Sequence, residues 1–123
     1  MSIRILVVDD EREMLRLVQT ILAAPEYDVV VVAGADRAIR TLQEMTVPPD
    51  LVLMDVVMPG MSGPMLADRL RELAPGLRIV FMSGFDHSQV VQQYVIRRGF
   101  DFLAKPFGPR ELIGAIKKSL ESA

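Results

Sequence analysis

Five short apolar runs alternate along the chain with segments of helical period, and no other feature limits the possible folds as strongly. Ile5-Leu6-Val7-Val8, Val29 to Val32, Leu51 to Asp55, Arg78 to Ser83 and Phe100 to Ala104 are the expected strands. A helix starting near Glu13 carries Met14, Leu17, Val18, Ile21 and Leu22 and stops at Pro25, and Ala35 to Met45 carries Ala38, Ile39 and Leu42 on one face. From Pro64 to Leu73 the pattern turns Leu66, Leu70 and Leu73 inward before Pro75-Gly76 breaks it. Asp86 with Gln89 three residues on starts a fourth helix bearing Val90, Val91, Tyr94 and Val95, which Gly99 closes. Pro109 opens the last helix, with Leu112, Ile113, Ile116 and Leu120 toward the core. Such alternation predicts an α/β domain with a parallel sheet and right-handed crossovers. With 123 residues, half of them hydrophobic, residues 1–123 make one domain with a full core.

The third run constrains function as well. Leu51 to Asp55, opened by Pro49-Asp50 and closed by Pro59-Gly60, reads as a strand buried on both faces, which has no use for an Asp inside it. At the carboxyl end of a parallel strand the side chain emerges into the crevice where open α/β sheets bind ligands; the plainer alternative is that Asp55 only ends the strand or caps the next turn. Asp9, Asp10, Ser83 and Lys105 also fall just after strand runs, so they meet Asp55 at one edge. Within Asp9-Asp10-Glu11, one Asp suits a helix N-cap and Glu11 a first-turn acid, but these roles do not account for three acids together. Converging carboxylates raise one another's pKa unless a cation sits among them, and Mg2+, held by one or two carboxylates with phosphate oxygens, fits that need. Taken singly, Lys105 is a loop lysine and Ser83 a turn residue; taken with Asp55, they suit the oxygens of a phosphoryl group accepted by an aspartate.

Composition removes several alternatives. There is no cysteine and one histidine, so any metal is held by oxygen. A net charge of -2 gives no broad basic surface for nucleic acid. No apolar run approaches the roughly 18 residues of a membrane helix, and Met1-Ser2-Ile3-Arg4 leads into a strand rather than a signal peptide, so a cytoplasmic location without membrane contact is expected. Arg97, Arg98, Arg110, Lys117 and Lys118 make the last two helices locally basic, as a solvated face does, and His87 is expected at the surface.

Asp9-Asp10, Asp55-Val56-Val57-Met58-Pro59-Gly60, Ser83-Gly84 and Lys105-Pro106-Phe107, in this order and each at its own strand end, resemble the receiver domain of two-component response regulators over nearly the whole chain. The resemblance implies a doubly wound, flavodoxin-like sheet in the order 2-1-3-4-5 flanked by five helices. It implies that Asp55 is the phosphoacceptor, that Asp10, Asp55 and the Val57 backbone carbonyl bind Mg2+ directly and Asp9 through water, and that Ser83 and Lys105 hold the phosphoryl oxygens. Phe102 would be the switch aromatic, against the alternative of a plain core Phe, and Pro106 would follow a cis peptide bond. The implied donor is a histidine kinase or histidine phosphotransfer domain, and the implied output is a surface of the fourth helix, fifth strand and last helix. Such a domain is not an enzyme in the usual sense; it assists its own phosphorylation and dephosphorylation.

Some positions depart from the commonest family pattern. Ser83 replaces Thr, Phe102 stands where Tyr is frequent, and Val57 and Phe85 occupy positions often polar, which bears on the lifetime of the phosphorylated state. A flavodoxin-like nucleotide or flavin binder would need a Gly/Ser/Thr-rich phosphate loop where this chain has Asp9-Asp10-Glu11. A metal-dependent phosphohydrolase using an aspartyl-phosphate would want an acid two residues after the nucleophile, where this chain has Val57. The resemblance fits a stand-alone regulator or the receiver part of a larger protein such as a hybrid histidine kinase.

Overall fold

The computed structural model describes residues 2–84, 93 and 95–121. Strands β1 (Ile3–Val8), β2 (Tyr27–Val32), β3 (Leu51–Asp55), β4 (Arg78–Ser83) and β5 (Asp101–Ala104) alternate with helices α1 (Arg12–Ile21), α2 (Ala35–Glu44) and α3 (Gly63–Leu73), and the C-terminal helix spans Pro109–Glu121. All pairings are parallel, in the order β2-β1-β3-β4-β5. Asp86, Gln89, Val90, Val91 and Tyr94 of the expected fourth helix lie outside the described residues, as do Phe85 and His87, whereas Val95 is buried and ends in the Gly99 turn.

Side chains alternate across a strand, so each central strand contributes to two cores. On one face Leu6, Val8, Val52, Met54, Ile79 and Phe81 pack under α2 and α3, with Ala38, Leu42, Leu66 and Leu70 coming down from those helices. On the other, Ile5, Val7, Leu51, Leu53, Val80 and Met82 meet Leu15, Val18 and Leu22 from α1 and Leu112 and Ile116 from the C-terminal helix. Every residue of β3 is buried, as its unbroken apolar run requires.

Three local expectations change. Strand β2 starts at Tyr27 rather than Val29, because its ladder with β1 already pairs Ile3 with Tyr27 and Arg4 with Asp28, and Arg4 Nε bonds Asp28 Oδ2 at 3.0 Å. Leu73 is 44% exposed, since α3 buries Gly63, Leu66, Ala67 and Leu70 and its last turn rotates off the sheet. In α1 the buried stripe runs through Leu15 and Val18 to Leu22, leaving Leu17 40% exposed.

The β3–α3 connection fixes where Asp55 emerges. Gly60, with φ +82°, makes the turn after Pro59 in a conformation that few side chains tolerate. Ser62 caps α3 by accepting from Met65 N at 3.3 Å, and Gly63 N donates to Val56 O at 2.9 Å. A Cβ on Gly63 would lie 2.7 Å from Phe81 Cε1, 2.8 Å from the Asp55 carbonyl oxygen and 2.8 Å from Val56 Cα. Phe81 in turn stands edge-on to Phe100 at 4.9 Å between centroids, and Arg71 of α3 covers the Phe100 ring at 4.6 Å. Glycine is thus required at 63 for close approach, not for dihedral freedom. Gly63→Ala should destabilise the domain by about 1–3 kcal/mol, because two of the three crowding atoms are backbone. Urea denaturation is expected to show a lower midpoint at unchanged slope; an unchanged midpoint would mean that α3 shifts freely relative to β3.

Candidate functional site

Strand register determines which side chains meet at the carboxyl edge. Val8 pairs with Met54, so Asp9 continues β1 beside Asp55, and Ser83 pairs with Ala104, so Lys105 follows β5 at the same level. Backbone bonds extend the ladders one step: Asp9 N to Val32 O (3.3 Å), Val56 N to Met82 O (3.0 Å) and Lys105 N to Ser83 O (2.7 Å). Asp9, Asp55 and Lys105 share strand parity with Val7, Leu53 and Leu103, which face α1 and the C-terminal helix, whereas Ser83 has the opposite parity. Pro106 follows a cis peptide bond.

The Lys105 ammonium lies 3.0 Å from Asp9 Oδ2 and 2.8 Å from Asp55 Oδ2. The other oxygen of each carboxylate accepts an amide two residues on: Glu11 N donates to Asp9 Oδ1 at 2.9 Å, and Val57 N to Asp55 Oδ1 at 3.0 Å. Asp9 is fully buried and Asp55 is 4% exposed. Burial pushes the Asp9 carboxyl above its ordinary value, and the Glu11 amide and Lys105 only partly offset that shift. For Lys105, burial acts to lower the pKa, but hydrogen bonds to Asp55 and Asp9 and their charges outweigh it, so the ammonium is held above its ordinary value.

Of the residues that the sequence singles out, Asp9, Asp55 and Lys105 are joined directly. Ser83 is buried at the same edge, with its carbonyl on the Lys105 amide. Asp10 is exposed and lines a groove of about 500 Å³ with Gly34, Arg37 and Gly60. Val57 is 47% exposed beside Asp55. Phe102 is half-buried against the cluster that holds Phe81 and Phe100. Glu11 has a larger part here than first-turn acid: it occupies the N-cap of α1 without a side-chain capping bond, and its Oε1 lies 3.5 Å from Lys105 Nζ. The available signal was its spacing, since residues two apart in an extended stretch share a side and Asp9 had already been placed.

One carboxylate oxygen from each of Asp9, Glu11 and Asp55 falls within 4.8 Å of the others. Mg2+ takes oxygen donors and is usually held by one or two carboxylates, which the buried Asp9 and Asp55 supply, while Glu11 stands exposed at the rim beside Lys105. Among the described residues one ammonium, that of Lys105, faces these three carboxylates, an acidic balance that a divalent cation fits. Conversely, the Glu11 and Val57 amides are committed to carboxylates, which removes them as donors for a nucleotide-phosphate cradle.

Residues 5–117 match the family described as response regulator receiver domain. The chain belongs to that family. It is 36% identical over 120 residues to the response regulator receiver protein CpdR of Brucella abortus (strain 2308), covering 98% of each chain. It is 32% identical over 120 residues to the sensor kinase CckA of the same organism, covering 98% of this chain but 13% of that protein. Among solved structures, NtrX from Brucella abortus in complex with ADP superposes with a TM-score of 0.87 at 33% identity, over 98% of this chain and 27% of that one. A CheY-like receiver domain protein from Methanospirillum hungatei JF-1 gives 0.85 at 29% identity, over 98% and 95%. Receiver domains are signalling modules phosphorylated on an aspartate, and among the described residues no helix is long and apolar enough to cross a membrane.

Lys105 makes the stability of this receiver domain depend on pH in a predictable way. Lys105→Met leaves Asp9 and Asp55 buried without the ammonium that bridges them, and should destabilise the fold by about 3 kcal/mol at pH 8. Burial already raises the Asp9 carboxyl, and loss of the ammonium raises it further. The folded variant then binds a proton that the unfolded chain, near its ordinary value of about 4, does not, so stability returns as pH falls through the raised folded value. Urea midpoints at pH 8 and pH 5.5 are expected to differ from the unsubstituted protein by less at the lower pH; an equal deficit at both would show that the carboxylates stay hydrated.

Proposed function

We propose that Asp55 accepts the phosphoryl group from the phosphohistidine of a histidine kinase or histidine phosphotransfer domain. The observation that carries this reading is the Lys105 ammonium held between buried Asp9 and Asp55 at adjacent strand ends. In the transfer an Asp55 carboxylate oxygen forms the new O–P bond while the P–N bond breaks and its electron pair returns to the imidazole nitrogen. Lys105 balances the charge arriving on the phosphoryl oxygens, and the Ser83 hydroxyl donates to one of them. Asp10, Asp55 and the Val57 carbonyl would hold Mg2+ directly and Asp9 through water, and the ion would neutralise phosphoryl charge. The switch follows from Ser83 and Lys105 moving toward the phosphoryl group, with Phe102 on β5 adjusting behind them and the surface around β5 and the C-terminal helix reporting the change. The chain promotes its own dephosphorylation through the same groups, and the downstream partner is a protein that reads that surface.

Incubation with acetyl phosphate and Mg2+ should add one phosphoryl group at Asp55, and Asp55→Asn should abolish it. Mass spectrometry that places the group on Asp9 or Asp10 in the unsubstituted protein would reverse the assignment of roles.

Val57 sets the lifetime of that state. Its half-exposed side chain stands two residues past Asp55 and offers no hydrogen bond to an attacking water. Val57→Asn should therefore speed phosphate loss by about tenfold, since hydrolysis needs a positioned in-line water. Release from phosphorylated protein at fixed Mg2+ measures it, and an equal or slower rate would show that Val57 does not guard the phosphoryl group.

A further inference from the structure

An ammonium has three N–H donors, and three carboxylates surround that of Lys105. Two are buried, Asp55 at 2.8 Å and Asp9 at 3.0 Å; the third, Glu11, is 63% exposed at 3.5 Å. The Glu11 backbone is fixed, because its amide donates to Asp9 Oδ1 at 2.9 Å and its carbonyl accepts from Met14 N at 3.1 Å and Leu15 N at 3.2 Å. Its side chain makes no capping bond and stays exposed beside Lys105.

A divalent cation bound at this edge contends with the ammonium for the same Asp9 and Asp55 oxygens, and two cations in contact repel strongly where water is scarce. Lys105 cannot retreat as a whole, since its amide is tied to the Ser83 carbonyl at 2.7 Å. Only the end of the side chain can move, and of the three carboxylates around it Glu11 is the exposed one. We infer that Glu11 is a positioning residue that receives the Lys105 ammonium when Mg2+ enters. It keeps the ammonium at the mouth of the site, next to where a phosphoryl group arrives. This inference rests on the receiver-site roles of Asp55, Lys105 and Mg2+ and adds to them a residue that acts through Lys105 rather than on the metal.

The test is a double-mutant cycle read by Mg2+ affinity, titrated through backbone amide shifts. Glu11→Gln should weaken Mg2+ binding about two- to fivefold, the size expected of a half-exposed ion pair. In the Lys105→Met background the same substitution should change it by less than about 1.5-fold, because no ammonium remains to be received. Equal weakening in both backgrounds would mean that Glu11 acts on the metal directly and would overturn the inference, as would no weakening in the unsubstituted background. A second readout avoids the Lys105 variant: on adding Mg2+, the Lys105 ammonium resonance should shift yet stay visible in the unsubstituted protein and be lost to solvent exchange in Glu11→Gln. Persistence in both proteins, or loss in both, contradicts the inference. Labelling of Asp55 by acetyl phosphate in the same preparations separates this failure from failure of the receiver-site assignment, which would remove Asp55 labelling itself.

Discussion

The carboxyl edge of this sheet depends on one ammonium. Lys105 reaches Asp9 and Asp55 at hydrogen-bond distance, and without it two nearly inaccessible carboxylates would face each other across neighbouring strands. Their other oxygens are engaged by the Glu11 and Val57 amides, so each acid is satisfied, while among the described residues one ammonium still faces two buried carboxylates. The arrangement is therefore satisfied and yet rich in acid, which supports the proposed entry of a cation and of a phosphoryl group that would draw on the same ammonium.

Rigidity behind the site comes from close packing rather than from polar bonds. Gly63 lets α3 approach within contact of the Asp55 carbonyl and Val56, and Phe81 fills the space beside them. Phe81 leans on Phe100, which Arg71 and Arg98 cover at 4.6 and 5.7 Å, and Arg98 is held to Asp68 of α3 at 3.0 Å. The end of β3 is thus fixed from below by α3 and laterally by β4, so an incoming group meets a preset carboxylate.

The layers and strand order were legible because period-2 and period-3.6 patterns alternate cleanly, and because four motifs at strand ends resemble one family. Side-chain direction at the ends of elements was less legible. Leu73 and Leu17 have the spacing of core residues, but which turn leaves the sheet depends on how a helix is docked, which no local pattern encodes. Glu11 was hidden for another reason. An acid at the start of a helix has a sufficient local explanation in the helix dipole, and only the position of Lys105, 94 residues later, shows that its carboxylate faces another charge.

The same register that assembles the site also decides which part of the sheet can yield. Ser83 and Lys105 are joined through the backbone, Lys105 N to Ser83 O at 2.7 Å, so a phosphoryl group that draws on both, as proposed, pulls β4 and β5 together. β4 is flanked on both sides, by β3 and β5, and its residues from Ile79 to Ser83 are buried. β5 is a four-residue edge strand bonded on one side only, and Phe102 within it is half-buried against the shared core. Of the two, β5 has fewer native contacts to lose in a small displacement. On the proposed role of Asp55, charge added there would be screened within about 8 Å of water at physiological salt, so a partner at the far surface would not read it as a field. Such a partner would instead read the displacement of an edge strand, and β5 is the edge strand that the Lys105 loop directly extends.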